Sequence, residues 1–357
     1  MRNADRSGYA IHCILPPHIL RNIAKKGTDK QRDMALRTLA LDTTSRTNRV
    51  THALLRSAGR RPIVDVMIPK VQRTIYSAAE GTELPGSVLR SEGQGRVSDP
   101  SVDEAYDGLK ATFDFYAEFF HRNSIDDNGL HLNATVHYDH DYDNAFWNGE
   151  QMIFGDGDGT LFNRFTIALD VIAHELTHGV TASEANLTYL GQSGALNESV
   201  SDVFGSLVKQ YSATPRQSVA TADWSIGKGL LKNPNSALRS MNKPGTAYSD
   251  PVLGTDPQPD HMSKYVRTYE DNGGVHINSG IPNRAFFEVA SALGGYAWER
   301  AGRIWYGTLR DKSLRPHASF ASFARHTAAI AQTLYGTGSA EHKAVQDGWG
   351  KVGIEIH

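Results

Sequence analysis

The residues that most constrain this chain are His174, Glu175 and His178, which form an H-E-x-x-H pattern inside an apolar run. From Phe162 to Val180, apolar residues recur every three or four positions without a proline, which predicts a buried helix. Residues four apart on a helix lie on one face, with about 5–6 Å between their Cβ atoms. The two imidazoles can therefore bind one metal ion, with Glu175 placed beside it to take a proton from water.

Chance produces this pattern only rarely, but a chain with 15 histidines does not exclude it. The segment that begins at Gly194 adds independent support, because it predicts a second helix with Glu198 and Asp202 four apart on one face. A catalytic zinc ion takes three protein ligands and keeps one position open, and two His with one Glu is an established set. A surface acid on an amphipathic helix is the alternative for Glu198, but its apolar neighbours oppose it: Leu196, Val200, Val203 and Phe204.

Several blocks of this sequence resemble the thermolysin-like zinc metallopeptidases (gluzincins), and among them the protealysin-like members with a short prosegment. The resemblance extends from about Val71 to His357 and depends on five blocks: Asn144–Gly149, Gly155–Gly159, His174–His178, Gly194–Glu198 and Asp271–Gly280. Thermolysin is itself the reference example of a two-His, one-Glu zinc site. The ligand set His174, His178 and Glu198 is therefore not independent of the resemblance.

The resemblance implies an α+β fold with two lobes and the zinc helix at the cleft between them. The expected division is a prosegment at 1–69, a β-rich N-terminal lobe at 70–185 that includes the zinc helix, and a helical C-terminal lobe at 186–357. Pro16-Pro17 matches a motif of short prosegments, and two prolines stiffen a chain into an extended form suited to a binding groove. We expect an inhibitory, folding-assisting prosegment that is cleaved near Ile68-Pro69-Lys70-Val71.

The N-terminus predicts neither a secretory signal nor a thiolate switch. Met1 to Gly8 is polar, and the apolar piece that ends at Leu15 is too short for a signal peptide. Synthesis in the cytoplasm, with export by a non-standard route, is the corresponding expectation. Cys13 is the single cysteine, so no intrachain disulfide can form. It could bind zinc as a thiolate, but its surroundings match no such switch and favour a small packed hydrophobe.

The composition is that of a globular protein, with 39% hydrophobic residues, 21% charged residues and a net charge of −2. No run of about 20 apolar residues exists, so we expect no membrane span. A nearly neutral chain gives no support for nucleic-acid binding. The expected partners are a protein or peptide substrate and the chain's own prosegment.

Periodicity predicts the remaining elements. Strands are expected at Arg73–Ala78 and Thr135–Asp139, and an amphipathic helix with core aromatics at Asp103–Arg122. Gly155–Gly159 lacks most of a twelve-residue calcium loop and predicts a turn instead. Further helical segments are Ile19–Leu41, Glu198–Tyr211, Ile281–Leu293, Ala297–Arg310, Phe320–Leu334 and Ala340–Val352, and a Thr/Arg/Ser-rich segment follows the first of them to about Arg61.

The resemblance assigns roles to further residues. Glu175 would be the general base, while His276 and Tyr189 would stabilise the oxyanion and Asp271 would orient His276. From the residues alone, a histidine between Val275 and Ile277 is as compatible with a core position. Asp202 and Asn197 would orient His174 and His178. The substrate would be bound by Asn144, Ala145 and Arg239. Its side chain would enter an apolar pocket lined by Phe162, Phe165, Val171, Ile226 and Leu238. Phe165 is larger than the aliphatic residue expected at that position of the pocket.

The predicted function is zinc-dependent endopeptidase activity on the N-terminal side of bulky hydrophobic residues, in a chain made as a zymogen. One catalytic zinc ion is expected and the family's paired calcium site is expected to be absent. Of its acids Asp170 and Asp223 remain, while the other matching positions carry Lys209, Ser225 and Lys228. Two alternatives are a catalytically silent zinc-binding protein with a retained prosegment and an exopeptidase. The intact general base Glu175 argues against the silent protein. The exopeptidase lacks support, because the sequence shows no motif that would bind the free amine of a substrate.

Overall fold

The computed structural model describes residues 12–56 and 70–356, and in the first range it describes the side chains of residues 13–42. The predicted cleavage point lies at the gap, with Ile68 and Pro69 outside the described residues. Within the described ranges, no helix is both long and apolar enough to cross a lipid bilayer.

The described residues form the following elements. The helices are α1 (Pro17–Lys26), α2 (Asp29–Arg56), α3 (Pro100–Phe120), α4 (Leu169–Ser183), α5 (Gly191–Ser212), α6 (Asp271–Asn278), α7 (Gly280–Leu293), α8 (Ala301–Arg310), α9 (Phe320–Tyr335) and α10 (Ala340–Lys351). The strands are β1 (His12–Cys13), β2 (Arg73–Ser77), β3 (Ser87–Ser91), β4 (Leu132–Val136), β5 (Ala145–Trp147), β6 (Gln151–Phe154), β7 (Ser225–Ile226), β8 (Arg239–Ser240), β9 (Ser249–Asp250) and β10 (Gly254–Thr255).

The N-terminal segment, residues 12–56, contains two helices where one was predicted over Ile19–Leu41. Gly27 ends α1, and the side chains of Thr28 and Gln31 bond each other's backbone N–H groups at 2.9 and 3.3 Å. This reciprocal cap starts α2. The Thr/Arg/Ser-rich stretch is helical as far as Arg56, because no glycine or proline interrupts α2.

The sheet of the N-terminal lobe is mixed, with the order β1-β5-β6-β4-β2-β3 among the described residues. β4 is parallel to both β2 and β6, whereas β5 is antiparallel to both of its neighbours, β1 and β6. The predicted strand Thr135–Asp139 ends earlier, at Val136, because His137 and Asp139 have φ values of 53° and 52°. The N-terminal segment thus adds a strand to β5, which would otherwise be an edge.

Helix α3 connects this sheet to the helix that carries the histidine pair. It begins after Asp99, whose carboxylate accepts the N–H groups of Ser101 and Val102 at 3.0 and 3.4 Å, a typical N-cap. Helix α3 packs against both β2 and α4. The predicted core residues of this helix are buried: Tyr106, Leu109, Phe113, Tyr116 and Phe120.

The H-E-x-x-H helix is shorter than predicted, since α4 begins at Leu169 and not near Phe162. Backbone N–H groups before Leu169 form hydrogen bonds outside the helix. The N–H of Phe162 donates to the carboxylate of Asp158 at 2.9 Å, and the N–H of Asn163 donates to the carbonyl of Leu230 at 2.8 Å. Gly179 does not end the helix but lies at a close contact, where a Cβ would be 2.5 Å from Ile125. It therefore allows α4 to approach its neighbours.

Helices α4 and α5 pack against each other over most of their length. At Gly205 an added Cβ would lie only 2.5 Å from the carbonyl oxygen of Asp170 on α4. This absence of a side chain lets the two backbones approach closely and brings Glu198 to the histidine pair. α5 also begins at Gly191, earlier than the predicted Glu198.

The C-terminal lobe is helical, as predicted. Observed α7, α9 and α10 agree with the predicted segments to within one residue at each end. Helix α8 begins at Ala301 and not at Ala297, because residues 297–300 form a turn. The fold is therefore the predicted α+β arrangement.

Candidate metal centre and peptide-binding cleft

Three buried side chains from α4 and α5 converge on one point. The Nε2 atoms of His174 and His178 are 3.0 Å apart, and each lies 3.5 Å from a carboxylate oxygen of Glu198. The ligand atoms of the three residues lie within 4.8 Å of one another. All three side chains are at most 1% exposed. The helical spacing of four placed the imidazoles together, and the contact between α4 and α5 supplied the carboxylate.

Hydrogen bonds on the far side of each ring fix its orientation. Nδ1 of His174 lies 2.8 Å from the carboxylate of Asp202. Nδ1 of His178 lies 2.8 Å from Oδ1 of Asn197, whose Nδ2 donates to the carbonyl of Leu187. Both Nδ1 atoms therefore carry hydrogen, and the Nε2 lone pairs point to the common centre.

This arrangement fits a divalent metal ion of the zinc type. Two lone pairs 3.0 Å apart are favourable only with a proton or a cation between them. Oε2 of Glu198 is also buried without a hydrogen-bond partner among the described residues. Burial lowers the pKa of His178 to about 3, which keeps that ring neutral. Burial also opposes a charge on His174, but hydrogen bonds to the carboxylates of Asp202 and Glu198 outweigh it and raise the pKa of His174 to about 9, so metal binding there must displace a proton. Two neutral imidazoles and a carboxylate are a known zinc set.

Glu175 is adjacent to the centre and is held by strand β5. Its Oε2 accepts the backbone N–H of Trp147 at 3.1 Å, while Oε1 is buried without a hydrogen-bond partner in the described part of the chain. Burial raises the pKa of Glu175 to about 8, and a cation in the centre would lower it again. One oxygen is thus fixed and the other is left for a reacting molecule.

His276 approaches the centre from the opposite wall. Asp271 accepts both its Nδ1–H at 2.6 Å and its backbone N–H at 2.9 Å. Burial opposes a charge on His276, but the carboxylates of Asp271 and Glu198 outweigh it and raise its pKa. The hydroxyl of Tyr189 lies 3.2 Å from Nε2 of His276 and donates a hydrogen bond to Glu198. The structure therefore brings Asp271, His276 and Tyr189 together with the three ligands.

The N-terminal segment occupies the cleft between these walls as an extended chain. The N–H of Ile14 donates to the carbonyl of Ala145 at 3.1 Å, and the N–H of Leu15 donates to Oδ1 of Asn144 at 3.0 Å. The carbonyl of Ile14 accepts from Arg239 at 3.1 Å. Nε2 of His276 lies 3.0 Å from the carbonyl oxygen of Cys13. A peptide backbone is thus bound by the residues that were predicted to bind substrate.

The five residues predicted to line an apolar pocket are all buried. They are at most 1% exposed and belong to the main apolar core, which also contains Ile14: Phe162, Phe165, Val171, Ile226 and Leu238. The rings of Phe162 and Phe165 are 5.8 Å apart between centroids. Ile226 on β7 pairs with Arg239 on β8, so one of these apolar residues lies directly opposite the arginine in a two-stranded ladder.

The comparisons with known proteins agree with this geometry. Residues 38–182 match the model of the thermolysin metallopeptidase catalytic domain, and residues 185–354 match the model of the thermolysin metallopeptidase alpha-helical domain. The chain belongs to the thermolysin metallopeptidase family. Residues 12–40 of this metallopeptidase match the protealysin propeptide. The predicted α+β fold, short prosegment and metallopeptidase class are confirmed.

Similar proteins cover nearly the whole chain of this metallopeptidase. An "Extracellular metalloprotease" of Pectobacterium carotovorum subsp. carotovorum is 53% identical over 96% of this chain and 96% of its own. "Protease PrtS" of Photorhabdus sp. (strain Az29) is 46% identical over 96% of this chain and 92% of its own. The solved structure "Precursor of Protealysin, Metalloproteinase from Serratia proteamaculans" is 52% identical, covers 96% of this chain and 99% of its own, and has a TM-score of 0.86.

Sequence reasoning missed several residues that complete the site of this metallopeptidase. Asn283 donates to Asp202 at 2.8 Å, and Gln258 donates to the carbonyl of His276 at 2.8 Å. Asp42 of the N-terminal segment accepts from the hydroxyl of Tyr142 at 2.5 Å and from Nδ2 of Asn144 at 2.9 Å. No periodicity or motif indicated these contacts, which join residues 18 to 102 positions apart.

A lysine occupies the region matched by the family's paired calcium site. Nζ of Lys209 lies 2.8 Å from Asp170, 3.8 Å from Asp223 and 2.5 Å from the carbonyl of Ser225. Lys228 is 3.9 Å from Asp223. The absence of calcium stays a prediction, and these ion pairs are the contacts that motivate it.

Proposed function

We propose that this metallopeptidase is a zinc endopeptidase that cleaves on the N-terminal side of bulky hydrophobic residues and is made as a zymogen. The observation that carries the proposal is the peptide backbone in the cleft, bound by Asn144, Ala145 and Arg239. These groups bind main-chain atoms, so they suit any extended peptide. His12 and Cys13 pair with β5 before the carbonyl that lies at His276, and Ile14 and Leu15 are bound after it. An endopeptidase would bind its substrate in this way, on both sides of the scissile bond.

The apolar pocket supports the specificity. The backbone carbonyl that Arg239 holds belongs to Ile14, whose side chain is fully buried. A substrate residue in the same position would have a large apolar side chain, because burial of such a side chain contributes about 1.5–3 kcal/mol. Phe165 is larger than the aliphatic residue that the resemblance implies at this position, so the specificity would favour aliphatic residues over the largest aromatic ones.

Catalysis requires a base, a polarised carbonyl and a proton for the leaving amine. Zinc held by His174, His178 and Glu198 would act as the Lewis acid in this site. Glu175 would accept a proton from the attacking water through its unpartnered Oε1 and then deliver it to the leaving nitrogen. Trp147 keeps the other carboxylate oxygen in place through its backbone N–H.

Negative charge on the carbonyl oxygen would be stabilised by His276 and Tyr189. One such donor is typically worth about 10²–10³ in rate. Asp271 positions the ring of His276 through its Nδ1–H. Asp202 and Asn197 would keep the two histidine ligands in the orientation that a metal needs.

The propeptide would act as an intramolecular inhibitor, because it occupies the same groups that would bind substrate. We propose the division 1–69, 70–185 and 186–357 for the propeptide and the two lobes, with a single zinc ion and no paired calcium site. We further propose that the processed enzyme acts outside the cytoplasm, by similarity to relatives that are named extracellular.

The test is a Glu175→Gln variant, compared with wild type after removal of the propeptide. Hydrolysis of an N-blocked peptide with an internal Leu should fall by several orders of magnitude while the zinc content stays at one per chain. The matched control is Glu83→Gln at an exposed position, which should keep full activity. Unchanged activity of the Glu175 variant, or full activity after chelation, would refute the proposal.

A further inference from the structure

We propose that the peptide bond between Cys13 and Ile14 is itself a substrate, cut by the chain's own active site while the propeptide is bound. This inference rests on the proposed function and adds an internal processing site to it. The site is distinct from the predicted junction near residue 69.

The hydrogen bonds of the segment identify this bond. His276 is the proposed oxyanion donor, and its Nε2 lies 3.0 Å from the carbonyl oxygen of Cys13. The next carbonyl, that of Ile14, is held by Arg239. The amide between them has its N–H bound to Ala145 at 3.1 Å. The bond whose carbonyl faces the oxyanion donor is therefore Cys13–Ile14.

The proposed base lies beside the same strand pairing. Glu175 bonds the backbone N–H of Trp147, and Trp147 pairs with His12 in the antiparallel β1–β5 ladder. Phe146 pairs with Cys13 in the same ladder. The register is therefore fixed on both sides of the bond, and a shift by one residue would turn each side chain to the opposite face.

The step is a simple hydrolysis. The oxygen of water adds to the carbonyl carbon of Cys13, and Glu175 takes one proton of that water. The C–N bond then breaks, and the proton passes to the nitrogen of Ile14. The products are a carboxylate on Cys13 and an amine on Ile14, and no oxidant or other reactant is needed.

Cleavage would not release the inhibitor, because side-chain contacts hold the propeptide on the Ile14 side while the β1–β5 ladder holds His12 and Cys13 on the other. Leu15 is bound to Asn144, and Asn22 donates to the carbonyl of Leu253 at 2.8 Å. Arg21 forms an ion pair of 2.6 Å with Glu270. The new amine therefore stays beside the new carboxylate, so resynthesis competes with loss of residues 1–13 and slows net conversion.

The experiment follows the intact mass of full-length chain in zinc-containing buffer, with a denaturing quench. We expect a product that begins at Ile14, formed at a rate independent of chain concentration. In H₂¹⁸O, resynthesised chain should carry ¹⁸O in the carbonyl of Cys13. The Glu175→Gln variant should show neither signal, and Glu83→Gln at an exposed position should retain both.

A mixture of wild type with tagged Glu175→Gln chain distinguishes self-cleavage from cleavage between molecules. If the tagged chain is cut at Cys13–Ile14 as fast as wild type, the intramolecular assignment is overturned. If processed wild type hydrolyses the N-blocked peptide but the full-length wild type shows neither the new N-terminus nor ¹⁸O, this inference falls and the proposed function stands. If the peptide is also left intact, the proposed function has failed.

Discussion

The guanidinium of Arg239 forms two hydrogen bonds of 2.8 Å to the carboxylate of Asp202. The same carboxylate lies 2.8 Å from Nδ1 of His174. One buried acid thus orients both a metal ligand and the arginine that holds a peptide carbonyl. Metal binding and peptide binding are expected to depend on each other through this residue.

We expect Asp202→Asn to lower zinc affinity by about 10–100-fold, because the charge that orients His174 is lost. The buried guanidinium of Arg239 also loses its partner, which should cost about 3–5 kcal/mol of unfolding free energy. Chelator competition and denaturant unfolding measure the two effects. Asn283→Ala is the control, since it removes one hydrogen bond to Asp202 but keeps the carboxylate that bonds His174 and Arg239. Unchanged zinc affinity in Asp202→Asn would contradict the coupling.

The contact between Asp42 and Asn144 predicts that the propeptide acts at two points of the cleft. Asp42→Ala removes the acceptor that holds Nδ2 of Asn144 and the hydroxyl of Tyr142, at about 1–3 kcal/mol for such buried partners. We expect the full-length variant to lose its propeptide and become active several-fold faster than wild type. The fully processed enzyme should be unchanged. Asp33→Ala, at an exposed position of the same helix, should activate like wild type.

The partly buried side chain of His18 leads us to expect that propeptide binding weakens as the pH falls. Burial lowers its pKa to about 4, although Asp271 opposes this shift, while His276, Arg239 and Arg21 add to it. A released propeptide would regain the ordinary pKa of about 6.5. Protonation therefore favours release, so binding is fully stable above about pH 6.5 and weakens by up to about tenfold per unit down to about pH 4.

Hydrogen exchange of residues 13–42 in the inactive Glu175→Gln chain measures this effect without interference from catalysis. After correction for the intrinsic pH dependence, exchange should rise between pH 7 and pH 5. His18→Gln should flatten the profile, because it cannot take up the proton, whereas His317→Gln at an exposed position should not. A flat wild-type profile would rule out a role for His18.

The ion pair between Lys209 and Asp170 leads us to expect that the folded protein is stable without calcium. Lys209→Met leaves the buried carboxylate of Asp170 without its cation, which should cost about 3 kcal/mol of unfolding free energy. Lys228→Ala is the control and should cost less than about 1 kcal/mol, because that pair is long and largely exposed. Calcium and calcium chelators should leave the unfolding midpoint of the zinc-loaded wild type unchanged. A clear rise with calcium would show that a calcium site remains.

The sequence by itself determined the parts of the site that depend on local geometry or on matched motifs. The spacing of His174 and His178 places two rings on one helical face in any tertiary context. Blocks around Glu198 and His276 were assigned through the resemblance, and the structure brings both residues to the same centre. The boundary of α4 was wrong because apolar periodicity does not reveal that the backbone near Phe162 is bonded to Asp158 and Leu230.

Tertiary structure alone decided which atoms meet across the cleft. The Pro16-Pro17 motif suggested a segment in a groove, but only the packed chain places the carbonyl of Cys13 at His276, 263 residues away. Asp42 at Asn144 is a contact of the same kind. Such pairs depend on how strands and helices pack, and residue spacing carries no information about them. Local periodicity therefore determined the helices, and long-range packing determined the register of the bound chain.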